Sequence, residues 1–391
     1  MRLFLALFSL VGLLQAEAWL VLPLVNKTGK KNLNWIGEAP AEVIRRNFAA
    51  NGVMVISREN RQEAEQRLAL RPNVEWTIAS ILKLAETLDS THVVYGDFDV
   101  ATADGGGFGR VTLNARILAV HEFAAKAKAS VEGPLEDLET LQTKLAYQVM
   151  REASVPGLPG EAEFLESNPK RKITAVENFI RGLLADDKAQ QQKFFEQALK
   201  IEPRYGQAAF RLGELLVEQE AFGQAVSYLD RVQRPDPNFW QASFLAGIAR
   251  FEMGEYRAAI QYFDRVAREV PLSEVINNLG VSQFRAGLVE AADTLRRSLE
   301  GDEKDADYHF NLGLALMSRA AWAQAADEFR AVLDRDSNDA EATKMLGRCL
   351  RPPASAAGLG EELHGLARLK LEFNEFAYRQ LKSFFQKPVK P

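Results

Sequence analysis

Residues able to do chemistry are few in this chain, and they are scattered. Cys349 is the only cysteine, and the histidines are His92, His121, His309 and His364. No histidine lies within helical reach of another, whereas zinc sites draw their ligands from closely spaced His and Cys pairs. A thiol nucleophile needs an activating base; Cys349 stands alone in a helical stretch and is expected to be a small apolar residue at a helix contact. The run DGGGFGR at 104–110 lacks the Gly-Lys-Ser/Thr ending of a phosphate loop and joins two extended stretches instead of opening a helix, so a hairpin connection is expected. Asp97 and Asp99 share a strand face and could in principle hold a cation. Glu161/Glu163 and Glu361/Glu362 read as solvated charges, and NKT at 26–28 matches a glycosylation acceptor that is common by chance. No catalytic residue, metal or cofactor is therefore expected.

The elements that would have to position a site say more. The chain has 391 residues, 47% hydrophobic and 26% charged, with a formal net charge of −5. That is a globular balance, long enough for two or three domains. No basic patch marks either half, which argues against nucleic acid as a partner. The first 18 residues, MRLFLALFSLVGLLQAEA, have a positive start, a short apolar core and Ala16-Glu17-Ala18 at a cleavage site before Trp19. Twelve apolar residues make about 18 Å of helix, too short to span a bilayer. An exported chain, periplasmic or extracellular after cleavage and with no membrane span when mature, is expected; retention of the segment as an anchor is the alternative.

Glycines at 213, 247, 280, 313 and 347 recur every 33 or 34 residues, and alanines at 225, 259, 292 and 325 follow the first four by twelve. A period in this range signals a solenoid. ASFLAGIARFEMGEYRAAIQYFDRV aligns over AAFRLGELLVEQEAFGQAVSYLDRV and YHFNLGLALMSRAAWAQAADEFRAV: helix, turn, helix. Glycine weakens a helix by about 1 kcal/mol against alanine, so its recurrence calls for a packing reason. Gly213, Gly247, Gly280 and Gly313, with Ala225, Ala259, Ala292 and Ala325, are expected to let paired helices approach closely. In the copy at 276–301, Arg296 stands where the others carry Leu229, Phe263 and Phe329, which leaves its register open. The first unit has Phe179 at the glycine position and reads as an atypical cap. At the far end, Leu366, Leu369, Phe373, Phe376, Ala377, Leu381 and Phe384 fall on one helical stripe, which predicts a capping helix within 352–391 or a segment that docks on a partner.

Over residues 173–351 the repeat resembles the tetratricopeptide repeat family. That resemblance implies a concave groove lined by first-helix positions three before each glycine and one and four after it: Phe210, Glu214 and Val217; Phe244, Ile248 and Phe251; Asn277, Val281 and Phe284; Phe310, Leu314 and Met317. Members that grip a C-terminal carboxylate use Lys and Asn there, whereas this chain is mainly apolar. An apolar helix or an extended peptide is the expected ligand, with Asn277 and Arg285 as polar candidates for register.

Residues 19–152 alternate short apolar strands with amphipathic helices early and end in a β-meander and a helix. The strings VLPLVNKTGKKNLNWIGEAPAEVI, GVMVISREN, LDSTHVVYGDFDV and VEGPLEDLETLQTKLA, in this order, resemble the TolB amino-terminal-like domain, one of a set with CsgG-like and FlgO-like proteins. The resemblance implies an extracytoplasmic assembly or scaffold role and brings no catalytic residues. Prolines and glycines within 153–172 predict an irregular linker. The fold class expected is thus α+β multidomain, a mixed α/β domain followed by an all-α tetratricopeptide solenoid. The functional expectation is a secreted, non-enzymatic scaffold whose protein partners lie in the bacterial envelope. A cytoplasmic or membrane-anchored regulatory adaptor and a small-ligand-binding or enzymatic α/β domain are the competing readings.

Overall fold

The computed structural model describes residues 17–102, 108–168, 170–353, 363–374, 377, 378 and 381. The leader at 1–16, the glycine loop at 103–107 and most of the end of the chain lie outside the described residues. Packing divides the chain into two compact units, with the division between Ile180 and Arg181.

In the first unit β1 (Ala18–Val21), β2 (Val25–Asn26), β3 (Met54–Val55), β4 (His92–Thr102), β5 (Phe108–Ala119) and β6 (Ala124–Pro134) form one sheet. Its order is β3-β1-β4-β5-β6, with β2 also paired to β4. β1 runs parallel to β3 and β4, while β4, β5 and β6 form an antiparallel meander. All four residues of β1 are buried, as expected of a parallel strand covered on both faces. Side chains alternate between those faces. Trp19 packs edge-on against Phe48 of α1 (Trp35–Ala50). Leu20 turns the other way, into a core with Ala64 of α2 (Arg58–Arg67) and Ile81, Leu84 and Ala85 of α3 (Ile78–Thr87). α4 (Leu138–Glu152) packs on α1 and on β5 and β6.

The 153–172 segment is more ordered than its composition implies. It contains α5 (Glu161–Ser167), whose Phe164 is buried against Tyr147 of α4, ring centroids 5.4 Å apart. The prolines and glycines flank this turn of helix; one apolar ring with somewhere to go was enough to order it.

The second unit is a tetratricopeptide-like array. Its helices pair as the end of α6 (Ile173–Leu184, which crosses the boundary) with α7 (Lys188–Ile201), α8 (Gly206–Glu218) with α9 (Phe222–Leu229), α10 (Phe239–Glu252) with α11 (Tyr256–Glu269), α12 (Ser273–Arg285) with α13 (Ala291–Gly301), and α14 (Ala306–Ser318) with α15 (Trp322–Arg335); α16 (Ala340–Leu350) follows. Chain reversal inside each of the last four pairs uses a left-handed residue at the same register: Glu220, Gly254, Gly287 and Ala320, with φ between 56° and 76°.

The periodic glycines face a bulkier neighbour than the alanines. A Cβ on Gly213 would lie 2.6 Å from Leu229, on Gly247 2.8 Å from Phe263, on Gly280 2.6 Å from Leu295 and on Gly313 2.8 Å from Phe329. Each glycine thus makes room for the large side chain three or four residues beyond the alanine. Ala225, Ala259, Ala292 and Ala325 are themselves buried. Two points of register are thereby corrected or resolved. Leu295, not Arg296, fills the third slot. The first pair does have its glycine, at 182, where a Cβ would meet the Phe195 ring at 2.5 Å; Phe179 is buried one turn earlier. The fixed 34-residue spacing concealed this because the first pair packs one turn out of register with the rest.

The capping helix predicted within 352–391 is replaced, over 367–374, by extended chain. Helical spacing competed there with a strict two-residue alternation, Arg368-Leu369-Lys370-Leu371-Glu372-Phe373. The alternation wins because side chains of the array supply the hydrogen bonds that a helix would otherwise make internally.

Candidate functional site: a groove holding an extended strand of the same chain

Three asparagines from the middles of α12 and α14 make the site. Asn277, Asn278 and Asn311 are 0%, 0% and 1% exposed. Asparagine is a poor helix former, and a buried amide is costly without partners. Here every partner is backbone or another of the three. Asn278 donates through Nδ2 to the Lys370 carbonyl (2.7 Å) and accepts from the Lys370 N–H (2.8 Å). Asn311 does the same at Arg368, donating to its carbonyl and accepting from its N–H, both at 2.7 Å. Asn277 donates to the Arg368 carbonyl (3.3 Å) and accepts from Asn311 (2.9 Å). Two side-chain amides therefore read the N–H and C=O of two residues that stand two apart, the repeat of an extended strand.

Charge and rings fix the side chains between those amides. The Arg368 guanidinium sits 3.6 Å over the Phe310 ring and pairs with Asp307 (3.2 Å), Asp339 (2.8 Å) and Glu341 (3.2 Å). Lys370 pairs with Asp305 (2.8 Å) and Asp307 (2.7 Å), above the Tyr308 ring. Asp305 and Asp339 are also the N-caps of α14 and α16. Capping favours aspartate at these points, and the same carboxylates then project into the groove. At the ends of the segment, His364 stands edge-on to Phe284 with its carbonyl bonded to Arg285 (3.0 Å), and Phe373 packs on Phe244 (5.5 Å).

The electrostatics follow from this crowding. Burial works to lower the Lys370 pKa, but the hydrogen-bonded Asp305 and Asp307 carboxylates outweigh it and the net shift is upward. Arg368 shifts up in the same way, through Asp339 and Glu341. Burial works to raise Asp339, yet its bonds from the Ala342 N–H and from Arg368 bring it below the usual 3.8. Burial and the surrounding acids push the Tyr308 hydroxyl strongly upward.

A depressed carboxyl contributes binding above its ordinary pKa, lost as pH falls through the depressed one. A raised ammonium contributes below its ordinary value, lost as pH rises through the raised one. Docking of residues 363–374 is therefore expected to be flat between about pH 5 and 9 and to weaken below about pH 4. Raising salt from about 0.05 to 0.5 M should weaken it severalfold, because the pairs are only partly buried. Amide protection at Arg368 and Lys370 reads both effects.

Of the positions predicted to line the groove, Phe244, Asn277, Phe284, Arg285 and Phe310 lie against this segment. Phe210 and Ile248 are buried, Glu214 pairs with Arg211 on its own helix (2.9 Å), and Phe251 packs on Tyr256 and lies under Arg285. Val281, Leu314 and Met317 are fully buried in the array. Asn278 and Asn311 were not anticipated, nor were the four carboxylates. A signal existed: both asparagines stand two before their glycine in successive repeats, an amide recurring at a mid-helix position where a helix gains nothing from it.

The groups first considered for chemistry are engaged elsewhere. His92 stacks on Trp19 (4.5 Å), and burial lowers its pKa. His309 bridges Glu328 and the Glu303 carbonyl. Asp97 is tied to Asn114 and Arg116. Cys349 is buried and its thiol is pushed up to about 11. Among the described residues no cluster of three or more His, Cys, Asp or Glu could hold a metal, and no helix is long and apolar enough to cross a membrane.

A family model for the tetratricopeptide repeat matches residues 192–238, 244–307, 290–340 and 310–351. Solved structures similar to the chain include MamA from Desulfovibrio magneticus RS-1, at 20% identity over 41% of this chain and 92% of that one, TM-score 0.38. Another is YrrB, described as a TPR protein with an unusual peptide-binding site, at 19% identity over 48% and 97%, TM-score 0.36. No curated protein sequence matches.

Proposed function

We propose that the protein is a non-enzymatic scaffold that recognises other polypeptides in extended form through the groove of its helical array. The observation that carries this is the pair of asparagine side chains, each bonding to both backbone polar groups of one residue, at alternate residues of the strand. An amide that pairs with backbone selects strand over helix, because a helical ligand has already used those groups internally. Of the two ligand shapes open at the outset, the extended peptide is the better fit. The first unit, by its resemblance to TolB amino-terminal-like domains, would hold an assembly partner, and the leader-like first 18 residues would direct the chain to the envelope.

Pull-down from envelope extract tests the groove. Phe244→Ala/Phe284→Ala is expected to lose partners that the unaltered chain retains, and an unchanged set would remove the groove from the account. Export has a separate test in N-terminal sequencing, where a chain beginning at Trp19 rules out the cytoplasmic adaptor. Ala18 is the first residue of β1, and its carbonyl accepts from the N–H (2.8 Å) and the hydroxyl (3.1 Å) of Thr91. Cleavage after Ala18 would therefore remove both of these bonds, and cleavage earlier would spare them.

A further inference from the structure

We infer that the outside partner of the groove is an extended basic segment patterned like residues 363–374, with Arg and Lys two residues apart and an aromatic ring three further on, and that residues 363–374 hold the site against it. This rests on the groove reading given above.

The groove is acidic beyond what its present occupant neutralises. Asp305, Asp307, Asp339 and Glu341 face two cations, Arg368 and Lys370, so the carboxylates outnumber the cations paired with them. Glu274 adds a fifth carboxylate, accepting from the Asn374 N–H (2.9 Å). An acidic or purely apolar peptide would leave these groups unpaired. Only some side chains of the strand are read. Arg368, Lys370 and Phe373 each have a receiving group, whereas Leu371 is 63% exposed. The position between the basic residue and the ring is thus free to vary.

The same atoms cannot serve two strands at once. Each buried asparagine amide is occupied by residue 368 or 370, so a partner must first displace them. Stripping a buried amide without replacing its bonds is unfavourable, so exchange is the easier route. Tethering gives residues 363–374 an effective concentration of about a millimolar. A free peptide with the same contacts and an intrinsic Kd below about 0.1 mM would then bind the intact chain at least tenfold more weakly than an unblocked groove.

The probe is a labelled peptide of sequence LHGLARLKLEFN, residues 363–374 themselves. It is titrated into the full chain and into full-length Arg368→Glu/Lys370→Glu, whose own segment is repelled by the carboxylates. The reversed chain is expected to bind the peptide at least tenfold more tightly. A peptide carrying the same two reversals should bind neither chain. Equal affinity for the two chains would overturn self-occupancy, and equal binding of the reversed peptide would overturn the basic pattern. The groove reading itself fails differently: the peptide would bind no chain at millimolar concentration, or would bind regardless of Asn278→Ala/Asn311→Ala. Unchanged circular dichroism and a single cooperative melt of the reversed chain confirm that its array is intact, its midpoint being expected to fall by no more than the lost docking.

Discussion

Asn278→Ala/Asn311→Ala is expected to free the extended segment from the groove, with amide exchange at Arg368 and Lys370 faster by roughly 30- to 1,000-fold. Four hydrogen bonds to the segment disappear, two at each residue, together with the two that Asn277 makes with the other asparagines. At about 0.5–1.5 kcal/mol each, and allowing for water replacing part of the loss, about 2–4 kcal/mol of docking goes with them. The array should survive. An alanine at either position has better helix propensity than asparagine, and the partners it leaves behind on the extended segment can turn to water. Hydrogen exchange measured residue by residue separates the two outcomes. Protection lost at 368 and 370 but kept in α12 and α14 is the expected pattern. Unaltered protection at 368 and 370 would show that charge and rings alone hold the strand, and the amide pairing would lose its place in recognition.

Two glycines three repeats apart, Gly247 and Gly347, should respond oppositely to the same change. Gly247→Ala puts a methyl 2.8 Å from the Phe263 ring, which is itself fully buried and cannot withdraw. Overpacking of this kind costs about 1–3 kcal/mol, more than the helix gains. Gly347 holds the same place in the repeat, but a Cβ there meets nothing within 4 Å. Gly347→Ala should therefore stabilise by up to about 1 kcal/mol through helix propensity alone. Chemical denaturation of the two variants decides it. Destabilisation at 347, or none at 247, would mean that the spacing marks something other than helix contact.

The difference between those glycines shows where sequence reading stops. Period and residue type identified both as members of one series. Whether a second helix follows close enough to need the gap is a tertiary fact, and among the described residues α16 has no such partner. Phe179 and Gly182 make the same point at the other end: counting by 34 selected the phenylalanine, and packing selected the glycine one turn on. In the first unit the strand and helix order could be read almost directly, because alternation of apolar residues reports two-faced burial locally. α5 could not, since one buried ring in a proline-rich stretch leaves no periodic trace.

The sequence by itself determined the elements other than α5 and the segment 363–374, the repeat, and the expectation that this chain carries a surface for polypeptides. Those follow from periodicities of two, 3.6 and thirty-four residues, each a local or near-local property. Only the tertiary structure decided what occupies that surface. Residues 363–374 carry both a helical stripe and a strand alternation, and neither prevails within the segment. The choice is made by Asn278 and Asn311, ninety-two and fifty-seven residues away from the residues whose backbone they bind, because a backbone takes whichever conformation satisfies its own N–H and C=O groups.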